Sequence, residues 1–339
     1  MSSRFAAAAL VSGLSLASIP DVALAWGASG YRLVGELASQ SLPPEIPEFL
    51  RTPEAGRQIA EVARQPDWSK GAGDPHDADS DPANYMLVGD DLKISRGPLL
   101  SALPANREAY DAALRSVGSG QYRAGYLPYA IIDGWQQLAM DLAYWRADFA
   151  GARWAKAPDE RSWFLKDQYV REGLTIRDLG YLAHFVANGG QPMNVSVHSN
   201  GWGNYPNPQK FSTANDLRTR FEGTVVKSRV TEKDISAAMT PYRDCRCSIQ
   251  QRVSDYLVAT QKQVINLYRI EKSGGLAGDT SEDRSFVVAR LAAATSGLRD
   301  LILDAWRVSG GFSVGSPAIA VRDIEAGRVN AFQSMRGSD

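Results

Sequence analysis

The sequence has 339 residues, with 37 Lys and Arg against 38 Asp and Glu, for a formal net charge of −1. A chain so balanced has no basic face for holding duplex nucleic acid by its phosphates, so only a local pocket could bind an anion. With two Cys and three His in the whole chain, soft metal ligands are scarce.

Residues 1–25 read as an export leader. Arg4 gives a weakly positive start, Ala6 to Leu16 is an apolar run too short to span a bilayer, and Ala23-Leu24-Ala25 supplies an A-x-A cleavage signature. Cleavage after Ala25 makes Trp26 the new first residue and places the protein in a secreted or periplasmic location. No later segment is apolar for long enough to form a transmembrane helix. The remainder is expected as a single multi-helix domain over 26–309, followed by a flexible Gly- and Ser-rich tail over 310–339.

From Trp26, the spacing of Tyr31, Leu33, Val34, Leu37 and Ala38 predicts a helix, interrupted by Pro43, Pro44 and Pro47. A second helix is predicted from Pro53 to Arg64, before Pro66-Asp67. Ser69 to Asp91, rich in Gly, Asp and Pro, reads as a long loop. His76 lies there among Asp74, Asp77, Asp79 and Asp81, at a spacing that departs from a calcium-binding loop and reads as solvated surface. Helices resume near Asn106. Between Tyr126 and Trp154 an apolar stripe of Leu127, Ile131, Trp135, Leu138, Leu142, Trp145 and Phe149 predicts a long helix with both tryptophans in the core. Asp159 reads as the cap of a helix running towards Arg171, and Thr175 to Ala187 as another, broken at Gly189-Gly190 and Pro192.

Further helices are predicted at Asn215–Lys227, Glu232–Met239, Ile249–Glu271 and Glu282–Ser309, with a flexible link at Ser273–Gly278. No alternating pattern marks a strand, so the fold class is all-α. Cys245 and Cys247 are one residue apart, which leaves open a small disulfide or two thiols and does not make a zinc site alone.

The chemistry-bearing stretch is Gly180 to Glu222. His184 and Asn188 are an i, i+4 pair projecting from one helix face, and Arg218 and Glu222 form a second such pair beyond a polar loop. Helical bundles build metal sites from pairs in this layout. Neither a phosphate-binding glycine loop nor a nucleophile elbow is present.

In these residues the chain resembles the family of single-strand-specific zinc nucleases and bacterial zinc-dependent phospholipases C. The opening WGASGYRLVGELA is similar to that family's mature start WGxxGH. His184-Phe185-Val186-Ala187-Asn188 followed by Gln191-Pro192-Met193-Asn194 is similar to its central H-F-x-G-D-x-x-Q-P-L-H segment. Arg218 and Glu222 match its later H-x-x-x-D/E pair in spacing, and Pro66-Asp67 match its first-loop Pro-Asp. The resemblance implies a zinc-dependent phospholipase C/nuclease fold with long loops, and a three-zinc centre hydrolysing phosphoesters of single-stranded nucleic acid or phospholipid headgroups.

This chain departs from the family at Tyr31, at Asn84 or Tyr85, at Asn194 and at Arg218, all histidines there, and at Asn188, an aspartate there. Amides are poor zinc ligands and a guanidinium repels a cation. A three-zinc centre is therefore not expected. The leading expectation is a degraded centre in which Arg218 stands in for metal charge towards a phosphate-containing small molecule. Two alternatives remain: one or two zinc ions held by some of Trp26, Asp67, His184, His198 and Glu222, or a binding or scaffold protein presenting the loop Asn200–Pro208 with Trp202 and Tyr205.

Overall fold

The computed structural model describes residues 26–276 and 280–337. The expected leader, residues 1–25, lies outside them. Among the described residues the chain is all-α apart from one small hairpin and two isolated antiparallel bridges, Val88 with Ile94 and Lys93 with Leu99. Helix α1 (Gly27–Gln40) is followed by α2 (Pro53–Val62), which starts on a Thr52 side chain that accepts from the Ala55 amide. A short helical turn, α3 (Gln65–Trp68), precedes the loop expected over Ser69–Asp91, which contains a second, α4 (His76–Ser80), and a 3-10 turn at Asp81–Asn84. Within it Asp77 accepts from the Gly71 and Gly73 amides and pairs with His76, so that carboxylate is used in holding the loop.

Helices α5 (Arg107–Arg115) and α6 (Gln121–Ala124) lead into α7 (Leu127–Trp154). Helix α8 (Pro158–Gly190) then returns along it. Three expectations fail in α8. It is one uninterrupted helix rather than two, and Ala157 holds the N-cap position, with Asp159 inside the first turn. The expected break at Gly189-Gly190 is helical instead. A Cβ at Gly189 would lie 2.9 Å from both Tyr256 and Leu257, and one at Gly190 2.9 Å from Ala294. These glycines thus serve close packing between helices, and the helix turns away only at Gln191-Pro192.

A 3-10 turn at Pro192–Val195 leads through the polar loop to α9 (Leu217–Lys227) and α10 (Glu232–Ala238). The single helix expected over Ile249–Glu271 is divided into α11 (Ile249–Gln261) and α12 (Val264–Lys272). Helix α13 (Ser281–Ser309) is capped by Thr280. The main core lies between α1, α2, α7, α8 and α13 and buries Trp26, Tyr31, Ile59, Leu138, Leu182, Leu257 and Leu298. Of the two tryptophans expected in that core, Trp135 is partly buried and donates to the Leu301 carbonyl. Trp145 is also partly buried and stacks on Phe149, which is 54% exposed.

Residues 310–337, expected as a flexible tail, are folded. Strands β1 (Ser313–Val314) and β2 (Ile319–Ala320) pair antiparallel, with Ser313 opposite Ala320, and α14 (Val321–Glu325) and α15 (Phe332–Arg336) follow. Val314, Val321 and Ile324 cover Ala143, Ala147 and Ala150 of α7, while Phe332 packs edge-on to Trp163 and Phe164 of α8. The Gly/Ser composition hid a sparse but sufficient apolar set. Among the described residues no helix is long and apolar enough to cross a membrane.

Candidate functional site

The i, i+4 pair on α8 does meet the residues that its spacing selected. His184 is fully buried, with its ring stacked on Tyr31 of α1 at a centroid distance of 4.7 Å. Its Nδ1 lies 2.9 Å from the Ala63 carbonyl. A carbonyl oxygen only accepts, so Nδ1 carries the ring proton and Nε2 is left as an acceptor. Asn188 Nδ2, with two N–H groups, donates to His184 Nε2 at 3.0 Å and to Asn84 Oδ1 at 3.0 Å; Asn84 Oδ1 also lies 2.7 Å from Nε2, a contact that is a hydrogen bond only when the ring carries a proton there. Burial pushes the His184 pKa down to about 4, an effect partly opposed by the negative charge of Asp67, so the ring is neutral.

From Asn188 the network continues outwards. Tyr31 donates its hydroxyl proton to Asn188 Oδ1 at 2.7 Å, and Asn194 Nδ2 donates to the same oxygen at 3.3 Å. Asn194 Oδ1 in turn accepts from Arg218 Nη1 at 2.8 Å. Arg218 is half-buried at the start of α9. Its backbone amide donates to Asn200 Oδ1 at 2.9 Å and its Nη2 to the Ser199 carbonyl at 3.4 Å. Burial lowers the pKa of this guanidinium from its ordinary value, and the Glu222 carboxylate one turn along α9 opposes that. Tyr31, Asn84, His184, Asn188, Asn194 and Arg218 therefore form one connected polar chain, running from the core towards the surface.

The remaining residues singled out in the sequence fall elsewhere. Trp26 is buried, donating its indole proton to the Ala187 carbonyl at 2.7 Å and packing edge-on to Phe221. Tyr85 lies against Gly125, which settles the choice between Asn84 and Tyr85 in favour of Asn84 as the network member. Asp67 pairs with Lys70 at 2.6 Å, while its other oxygen, Oδ2, is buried with no hydrogen-bond partner. His198 belongs to a separate set of contacts. It is sandwiched 3.6 Å from the Trp202 ring, with Nδ1 at the Trp202 carbonyl and Nε2 3.2 Å from Asp90. Trp202 itself is buried with its indole bonded to the Pro206 carbonyl, so of the two loop aromatics expected at the surface only Tyr205 is exposed.

This donor set does not fit a zinc cluster. The imidazole has both nitrogens engaged by protein groups, the neighbouring side chains are a phenol and neutral amides, and the outermost member is a cation. Among the described residues no group of three or more His, Cys, Asp and Glu converges into a possible metal site. The hydrogen-bonded partners of the guanidinium are neutral oxygens, Asn194 Oδ1 and the Ser199 carbonyl.

Sequence reasoning missed Lys70, Ser199 and the Ala63 carbonyl, and named Asn200 only as the start of a surface loop. Lys70 stands at i+3 from Asp67 and was visible by that spacing. A backbone carbonyl leaves no mark in a sequence. Compared with known protein families and with curated proteins, the chain matches none of either.

Proposed function

We propose that this is an exported, non-catalytic relative of the zinc-dependent nucleases and phospholipases C, in which the ancestral metal pocket has become a polar network that binds a phosphate-containing small molecule at Arg218. The observation that carries the reading is the contact pattern of Arg218: its side chain donates to Asn194 Oδ1 and the Ser199 carbonyl, both neutral. Its charge, moderated by Glu222 further along the helix, is thus offered at the outer end of a network whose inner members are already satisfied. A guanidinium so placed supplies charge-assisted hydrogen bonds to phosphate oxygens. The resemblance to the family gives the substrate class, a phosphodiester of nucleotide or phospholipid-headgroup type.

Calorimetric titration with inorganic phosphate and with a dinucleotide tests this. Binding that weakens at least tenfold in Arg218→Ala, and less in Arg218→Lys, is the expected result. Equal binding by wild type and Arg218→Ala would refute the assignment.

One observation favours a second reading, a hydrolase with a single metal ion: the buried Asp67 Oδ2 has no hydrogen-bond partner, and its charge acts on His184. That reading takes the lead if the purified protein hydrolyses a phosphodiester, and loses the activity both on chelation and in His184→Ala.

A further inference from the structure

A positively charged cleft of about 460 Å³, within the size range of small-ligand pockets, lies away from Arg218. Three segments wall it: residues 87–96, residues 118–123, and the loop that carries Val197 and Tyr205. Backbone hydrogen bonds tie these walls to one another. Leu87 N donates to the Ala124 carbonyl at 2.7 Å, Ser95 N to the Leu87 carbonyl at 2.9 Å, and Val197 N to the Val88 carbonyl at 2.9 Å. The bridges Val88–Ile94 and Lys93–Leu99 brace the first wall, and Ser95 and Arg96 turn its end in the left-handed region, at φ 47° and 67°. The cleft is therefore built by the fold before any ligand arrives.

Its charges do not balance. Lys93, Arg96 and Arg123 line it against a single carboxylate, Asp91. That carboxylate accepts from the Lys93 amide at 3.0 Å and lies 3.7 Å from Lys93 Nζ. Among the described residues, neither the Arg96 nor the Arg123 guanidinium has an ion pair or a side-chain hydrogen bond. Three cations against one anion leave two positive charges, and a cleft with one sign of charge in excess concentrates the opposite sign. Two guanidinium forks with open N–H groups match the oxygens of a phosphoryl dianion. The rest of the lining suits something other than an anion. Asp91 is an acceptor, and the hydroxyls of Ser95 and Ser119 make no hydrogen bond among the described residues. Alcohol groups answer all three. Tyr205, 46% exposed, adds an aromatic ring beside Leu87 and Val197, a surface for the C–H face of a saccharide.

We propose that this cleft is a binding site for a sugar phosphate. The phosphoryl group sits on Arg96 and Arg123, and the saccharide ring lies against Tyr205 with its hydroxyls on Asp91, Ser95 and Ser119. Neither Arg218 nor any of its hydrogen-bond partners lines the cleft, so the two sites are separate.

The test is calorimetric titration of the full chain carrying Arg218→Ala, which keeps binding at that residue out of the signal. The probes are glucose 6-phosphate, mannose 6-phosphate, free glucose, inorganic phosphate and adenosine monophosphate. At least one hexose phosphate is expected to bind once per chain, at least tenfold tighter than either glucose or inorganic phosphate. Arg96→Gln and Arg123→Gln each weaken it at least tenfold while leaving the melting temperature unchanged, since both side chains are exposed. Tyr205→Ala weakens the hexose phosphate and leaves inorganic phosphate as it was. No binding of either hexose phosphate, or binding indifferent to both Gln variants, overturns the proposal. Inorganic phosphate bound as tightly as the hexose phosphates, or adenosine monophosphate bound tenfold tighter than they are, overturns the saccharide assignment.

Discussion

Asn188 shows how much a single side chain can decide. As an amide it accepts from Tyr31 and Asn194 through one atom and donates to His184 and Asn84 through the other. A carboxylate has no donor to offer, so Asn188→Asp loses both outgoing bonds and buries a charge. We expect that variant to be destabilised by about 1–3 kcal/mol in denaturant unfolding, and more severely than Tyr31→Phe, which removes one bond at a cost of about 0.5–1.5 kcal/mol. An Asn188→Asp variant as stable as wild type would show that the network does not hold the amide as described. The pairing of His184 with Asn188 was legible from their spacing, because four residues on a helix fix a shared face. The choice between Asn84 and Tyr85 was not, because it turns on where the 3-10 turn Asp81–Asn84 gives way to the extended Tyr85.

At the level of elements, α7 and α8 carry a feature that the sequence did not flag. Across their antiparallel contact Asp148 meets Asp167, and Asp141 meets Asp178. Asp148 is fully buried, and burial together with the Asp167 charge pushes its pKa up to about 9. Burial and Asp178 raise that of Asp141. Arg171, paired with Asp167 at 3.3 Å, compensates only in part. Folding therefore favours the protonated carboxyl, while the unfolded chain releases its proton near the ordinary value of about 3.9. Between those two values the folded state binds more protons than the unfolded one, so stability falls as pH rises from about 4 towards about 9.

The expected profile is a higher melting temperature at pH 5 than at pH 8. In Asp148→Asn, which cannot ionise, the slope flattens and stability at pH 8 rises relative to wild type. An unchanged slope in that variant would remove the carboxyl pair as its cause. These pairs escaped the sequence reading because each joins residues on different helices. The α8 boundary was missed for a related reason: glycines at Gly189-Gly190 read as a break until the helices packed on them are seen.

For the molecule as a whole, the apolar periodicities gave the helical class and most helix positions, since burial on one face leaves a repeat in the sequence. The order of residues 310–337 left no such repeat. Its apolar residues are few, and each is buried against another element rather than along its own. Truncation after Gly310 removes Val314, Val321, Ile324 and Phe332 from the core. At about 1.5–3 kcal/mol for each fully buried side chain, the loss is expected as a clear drop in the denaturant midpoint, whereas a dispensable tail would leave the midpoint where it was.

That terminal cover also sets an order of events. Residues 313–337 are made long after α7, yet they close the Ala143, Ala147 and Ala150 strip of that helix. During synthesis that strip stays wet, a lane of small apolar side chains open to any other surface that fits it. The growing chain is therefore open to mispairing along that strip until Val314, Val321 and Ile324 have been made, and their docking is the latch that ends the risk.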